Sequence, residues 1–148
     1  MGDDDAVSVA LDFIERINAG DVDGIVALLT DDHEFNDTAG VAFRGREALR
    51  DGWRGYFALF PDYQIDIDWA GEGGGAVLLL GRSSGTLSAH GREALRRPDG
   101  GLPPQDQLQG PAIWTARIAN SLVAQWRVYA DMPETRSTLG IPTQGEMT

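Results

Sequence analysis

The sequence predicts an α+β fold in which three helices from the N-terminal half pack on a strongly curved, mainly antiparallel sheet. Three observations carry this. Apolar residues recur at helical spacing over 6–18, 21–30 and 46–60. From Tyr63 onward the period changes to two, and four strand patterns follow one another. Helices are thus segregated from strands, and helices collected on one face of such a sheet leave a cone whose open mouth suits a ligand.

In the first helix Ala6, Val9, Ala10, Phe13, Ile14 and Ile17 form one stripe. Gly20 supplies its stop, and Asp21 is an N-cap for the second helix, where Val22, Ile25, Val26 and Leu29 share a face. A short strand is expected at 33–37. The third helix carries Leu49, Trp53, Tyr56, Phe57 and Phe60 and ends at Pro61. Gly52 and Gly55 inside it each cost about 1 kcal/mol against alanine, so each implies a reason: close packing against the sheet, or room for a ligand.

Tyr63, Ile65, Ile67 and Trp69 alternate with Gln64, Asp66 and Asp68, the pattern of a half-buried strand. Gly71 to Gly75 make a hairpin turn, and a long strand follows over 76–89 with bulges or bends at Gly81 and Gly85. Two more strands, 110–119 and 122–130, flank a tight turn at Asn120-Ser121. The Gly-, Pro- and charge-rich stretch 90–109 is expected to be a loop insertion, either a pocket lid or a floppy excursion.

A chain of 148 residues fits one domain, read here as 1–148 with 1–5 disordered and 134–148 a tail. Twenty-three acidic residues against twelve basic ones leave a net charge of −11. That disfavours nucleic acid and an anionic membrane surface alike, because phosphate contacts need clustered cations. There is no cysteine, and every basic residue is an arginine, so disulfide, thiolate and lysine Schiff-base chemistry are excluded. His33 and His90 are too few for a three-histidine zinc site, and neither metal nor cofactor is expected. Met1-Gly2-Asp3-Asp4-Asp5 does not read as a secretory signal, and Ala6 stands where myristoylation wants Ser or Thr. No apolar run approaches the ~20 residues of a membrane span, so a cytoplasmic protein is the expectation.

The stretch Asn18-Ala19-Gly20-Asp21-Val22-Asp23-Gly24-Ile25-Val26-Ala27-Leu28-Leu29 resembles the opening of bacterial ketosteroid isomerases and their SnoaL-like relatives. The stretch from Leu122 through Trp126-Arg127-Val128-Tyr129-Ala130-Asp131 is similar to the closing strand of SnoaL-like and limonene epoxide hydrolase-like proteins. With the matching element order, the chain resembles the SnoaL-like / nuclear transport factor 2-like superfamily. That resemblance implies a cystatin-like cone, a fold that hosts isomerases, cyclases, hydrolases, dehydratases and non-enzymes.

The resemblance puts the isomerase's general base at Asp37, its oxyanion-hole tyrosine at Phe13 and its oxyanion-hole acid at Trp114. Neither of the last two can play that part, so the familiar steroid isomerisation is not expected. The Asp-Arg-Asp set of limonene epoxide hydrolase falls on Ser84, Arg82 and Val128, of which only the arginine matches. The acid of SnoaL-type cyclases falls on Arg127.

The resemblance also turns His33, Phe35 and Asp37 into the cone, where Trp114, Ala116, Trp126, Val128 and Ser84 join them. Phe13, Trp53 and Phe57 would close the pocket from the helices. An aspartate among such rings is disfavoured as an anion, which suits a general acid/base near neutrality. Asp37 is therefore the candidate proton-transfer residue, with His33 or Arg82 orienting substrate or stabilising charge. Plainer readings stand beside these. Asp37 can end a strand in turn hydrogen bonds, His33 can be a surface histidine paired to an acid, and Arg82 can bridge Asp66 or Asp68. Ile113, Thr115, Arg117, Arg127 and Tyr129 face the other way, toward a homodimer interface or toward solvent.

The expected function is cofactor-independent acid/base catalysis (isomerase, cyclase, hydratase or dehydratase type) on a small, largely apolar molecule such as a polyketide or terpenoid. Its rival is a non-catalytic protein that binds a small hydrophobic ligand in the same pocket, or a partner on the sheet.

Overall fold

The computed structural model describes residues 5–37, 40–73, 76–86, 88–89, 107–130 and 139. Residues 1–4, most of the insertion expected at 90–109, and the tail at 134–148 apart from Leu139 lie outside the described residues.

Helix α1 (Ala6–Asn18) buries Val9, Ala10, Phe13, Ile14 and Ile17, as its periodicity requires. It ends in two paired bonds, Gly20 N–H to Ile17 O at 2.9 Å and Asp21 N–H to Arg16 O at 3.0 Å. Both need the left-handed backbone at Gly20, whose φ is +65°. Asp21 then caps α2 (Val22–Ala27), its carboxylate accepting from Gly24 N–H at 3.0 Å. This second helix stops at Ala27 rather than near 30, because Leu29 is drawn into the sheet beside Val123.

Strand β1 (Leu29–Asn36) starts four residues earlier than its pattern suggests and forms a hairpin with β2 (Ala42–Arg44). No periodicity announces β2; three residues are too few to show one. Helix α3 (Arg46–Leu59) follows, and the Arg46 guanidinium ties its start to β1 by two bonds to Leu29 O, at 3.0 and 2.7 Å. Strands β3 (Gln64–Gly73), β4 (Ala76–Thr86), β5 (Gln107–Ala119) and β6 (Leu122–Ala130) complete a six-stranded sheet in the order β2-β1-β6-β5-β4-β3. Every neighbouring pair is antiparallel except β1 with β6. Strand β4 ends at Thr86, and β5 begins at Gln107, so the last three residues of the expected insertion are strand. Asn120 and Ser121 both take positive φ, as a two-residue hairpin turn between β5 and β6 demands.

The helices cover one face of the sheet, and the main core lies between. Asn18, at the end of α1, holds the edge strand β3 as a neighbouring strand would. Its side-chain amide donates to Ile65 O at 2.9 Å and accepts from Ile65 N–H at 2.7 Å. Further along β3 a bulge between Ile67 and Trp69 reverses the alternation. Ala70 therefore packs on the core, while Trp69, expected on the buried side, stands 47% exposed. Gly81 lies opposite Ile67, where a Cβ would strike the Asp66 carbonyl oxygen. On the outer face, the strand register aligns Trp69, Leu80, Ile113 and Tyr129 in one row, with Leu139 packed against it. None of the described helices is long and apolar enough to cross a membrane.

Candidate functional site

Between α3 and the sheet lies a cavity of about 350 Å³. Helix α3 supplies Ala48, Leu49, Gly52, Trp53 and Tyr56, residues one helical turn apart and hence on one side. The β1–β2 hairpin contributes Phe35, Asp37 and Phe43. Tyr63 and Ile65 come from β3 and the residue before it, and Trp114, Trp126 and Val128 from β5 and β6. Asp37 is the one charged side chain among these lining residues.

Asp37 sits just beyond β1, half-buried, where it both lines the cavity and makes the hydrogen bonds of a turn. Its carboxylate accepts from Val41 N–H at 2.9 Å, its N–H donates to Val41 O at 3.1 Å, and its carbonyl accepts from Gly40 N–H at 3.0 Å. The bond from Val41 N–H thus helps hold the carboxylate at the cavity. Phe35 pairs across that hairpin with Phe43, their rings 6.3 Å apart, and Phe43 is 43% exposed at the rim.

The two tyrosines are the neutral donors. Burial pushes the Tyr63 hydroxyl up to about 12, and that hydroxyl hydrogen-bonds to Ser83. Burial raises Tyr56 as well, with its neighbour Tyr63 adding to the effect. Both therefore keep their protons throughout the neutral range. The indole N–H groups of Trp53 and Trp114 are buried without a protein acceptor.

His33 does not join Asp37. It is fully buried among core side chains, with its ring 6.5 Å from that of Phe13. Its Nδ1 lies 2.7 Å from Val123 O, and a carbonyl only accepts, so the Nδ1–H donates. This bond falls where the β1–β6 ladder is interrupted between Leu29 and Glu34, and the imidazole replaces a missing backbone donor. Burial lowers its pKa against the opposing pull of that bond and of Asp32 and Glu34. A neutral, structural histidine results, neither on the surface nor at the cavity.

Arg82 and Ser84 are also elsewhere. On β4 the positions facing the core are Val77 and Leu79, both fully buried, and Gly81, Ser83 and Gly85 continue that face. Arg82 and Ser84 belong to the outer face, opposite Asp66 and Gln64, and Arg82 is exposed. Ser83, not Ser84, reaches the site, through Tyr63. The run Ala76-Val77-Leu78-Leu79-Leu80 is apolar on both faces, so the sequence hides the phase of this strand.

Phe13 and Phe57 support the wall from behind. Phe13 is fully buried with its ring 4.8 Å from that of Trp126, and Phe57 stacks on Trp53 at 5.6 Å. Phe35, Trp53, Trp114, Trp126 and Val128 line the cavity. Gly52 lines it too, and a Cβ there or at Gly55 would meet nothing within 4 Å, so close packing is not the reason for either glycine. Phe43 and Ala48 were the lining residues hardest to foresee, because an undetected strand and a small side chain leave no periodic signal. Arg127 faces outward and lies over the Tyr129 ring, 4.9 Å from its centroid.

Residues 10–126 match the model of the SnoaL-like domain family. No curated protein matches the chain by sequence. Among solved structures, a candidate SnoaL-like polyketide cyclase from Shewanella denitrificans is similar at a TM-score of 0.69 and 14% identity, over 90% of this chain and 95% of that one. A protein of ketosteroid isomerase-like fold from Catenulispora acidiphila, in complex with trimethylamine, gives a TM-score of 0.68 at 14% identity over 93% and 96%. An LEH-like epoxide hydrolase from M. tuberculosis gives 0.67 at 18% identity over 85% and 82%. At such identities the likeness is one of fold.

Proposed function

The chain belongs to the SnoaL-like domain family, in the nuclear transport factor 2-like superfamily, and from that premise we propose that it is a cofactor-independent acid/base enzyme acting on a small, largely apolar metabolite. The observation that carries this reading is the carboxylate of Asp37 at a cavity walled by seven aromatic side chains among its described lining residues. In this reading Asp37 takes a proton from the substrate and returns it elsewhere on the same molecule, giving an isomerisation or cyclisation. In a hydration it would instead take the proton from an entering water whose oxygen bonds to carbon and deliver it to the neighbouring atom. A dehydration is the reverse, the hydroxyl leaving as water. The rings exclude water, and the Tyr56 or Tyr63 hydroxyl donates to oxygen as negative charge develops there. His33 and Arg82 have no part in the chemistry. The fold similarity to a candidate polyketide cyclase and an epoxide hydrolase supports an enzyme of this general kind.

The test uses two probes, 3-cyclohexen-1-one for proton transfer beside a carbonyl and 1-methylcyclohexene oxide for epoxide opening. Turnover of either is expected to fall about 10²-fold or more in Asp37→Asn, the usual worth of a positioned base. Equal rates in the two proteins would remove Asp37 from the mechanism. Binding without turnover of any probe would favour the non-catalytic ligand-binding reading.

We also propose that the outer sheet face is the interface of a homodimer, supported by Trp69, which stands 47% exposed at the edge of the row whose Leu80 and Ile113 are already covered within the chain. Sedimentation should show a dimer that Tyr129→Arg weakens. A monomer at all concentrations would refute it.

A further inference from the structure

Most of the cavity lining is out of reach of solvent, and the exceptions fall together. Leu49, Trp53, Tyr63, Ile65, Trp114 and Trp126 are buried. Among the described lining residues the exposed ones are Phe43 on β2 and Ala48 and Gly52 on α3. Ala48 and Gly52 are one turn apart and so share a flank of the helix. The other flank is covered, because Arg50 there forms an ion pair with Asp23 of α2. Facing the open flank, β2 is an edge strand of three residues, all exposed, with β1 as its one neighbour in the sheet. A strand with so few buried contacts is the part of the wall that shifts at least cost.

We propose that ligands enter and leave the cavity through the gap between β2 and α3, with Phe43 as the movable side of the entrance and Ala48 and Gly52 as its threshold. The proposal rests on the reading of the cavity as a ligand site and is independent of any role of Asp37. Small residues suit a threshold because a long side chain there would stand in the gap, and a Cβ at Gly52 would indeed reach into open space. The Phe43 ring lies 6.3 Å from that of Phe35, which lines the cavity. A passing apolar molecule therefore exchanges one ring contact for another instead of losing one to water. The cross-section of this entrance, and not only the volume of about 350 Å³ behind it, then determines which molecules are taken up.

Cyclohexanone and 2-adamantanone carry the same carbonyl and differ in girth. Mixing each with the full chain in a stopped-flow instrument and following tryptophan fluorescence gives both rate constants. An obstacle in an entrance slows passage in both directions, whereas a damaged wall changes mainly the dissociation rate. Ala48→Leu should slow association and dissociation of 2-adamantanone by about tenfold each, leave its affinity within about threefold, and affect cyclohexanone less. Phe43→Ala should raise both rates for 2-adamantanone several-fold, a change opposite in direction to anything poor folding produces. Gly55→Leu, on the same flank but away from the cavity, should leave all rates within about twofold. Association rates unchanged in both Ala48→Leu and Phe43→Ala would overturn the entrance and leave the cavity a ligand site. Binding of neither ketone by the unaltered chain would overturn both.

Discussion

Beneath α1 the space between helix and sheet is full, whereas beneath α3 it is hollow. The two helices differ little in length, and both turn an apolar stripe toward the same sheet face. Helix α1 fills its side with Phe13, Ile14 and Ile17, and is anchored at its end by Gly20, Asp21 and the Asn18 clamp on Ile65. Helix α3 presents rings at Trp53 and Tyr56 with Gly52 between them on the same side, and the rings prop one another apart edge to face. Phe13 braces the cavity wall from the filled side, its ring against those of Trp53 and Trp126. A fold of this size can keep one hollow because the other half of its core is closely packed.

The largest effect expected from this contrast concerns two phenylalanines. Phe13→Ala, in the filled half, should cost about 3–5 kcal/mol of unfolding free energy, the usual loss for a fully buried ring. Phe43→Ala, 43% exposed at the rim, should cost under about 1 kcal/mol. Urea unfolding of both variants measures the pair, and similar losses would erase the distinction between the halves.

His33 sharpens the contrast through pH. Its folded pKa is lowered by burial, so below its ordinary value of 6.5 the unfolded chain binds a proton that the folded chain refuses. Stability should therefore fall as the pH drops from about 7.5 through 6.5, with a slope from this one group of at most about 1.4 kcal/mol per pH unit. The loss levels off below the folded pKa. In His33→Gln this increment should vanish from the pH dependence of the urea midpoint. An unchanged slope would mean that the imidazole is not held neutral.

The smallest effects separate two glycines of one helix. Gly52→Ala and Gly55→Ala should each stabilise α3 by about 0.5–1 kcal/mol, since neither Cβ would meet anything. Only at position 52 does size bear on the cavity. Gly52→Leu should weaken 3-cyclohexen-1-one binding several-fold, and Gly55→Leu should leave it within about twofold. Equal losses at both positions would show that the helix as a whole, not the space at Gly52, governs access.

Long periodic segments were legible, and the α1 stripe and the Gly20–Asp21 stop-and-cap came directly from residue chemistry. The face of Arg82 and Ser84 was not, because Val77 to Leu80 offers no polar residue to mark its phase. The bulge at Ile67–Trp69 was also hidden, since it depends on the close approach of β3 to Gly81 rather than on anything in β3 alone. His33 misled for a different reason. The acidic residues around it suggested a surface partner, whereas its partner is a backbone carbonyl ninety positions away.

The sequence by itself determined the element order, the acidic and cysteine-free chemistry, and the aromatic supply for a pocket, because each follows from local spacing or composition. Only the tertiary structure decided which of those residues share a cavity. Strand phase, bulges and the parallel β1–β6 pairing are set by contacts between distant segments, and those contacts brought Asp37 to the aromatic walls, sent Arg82 outside and closed the core over His33.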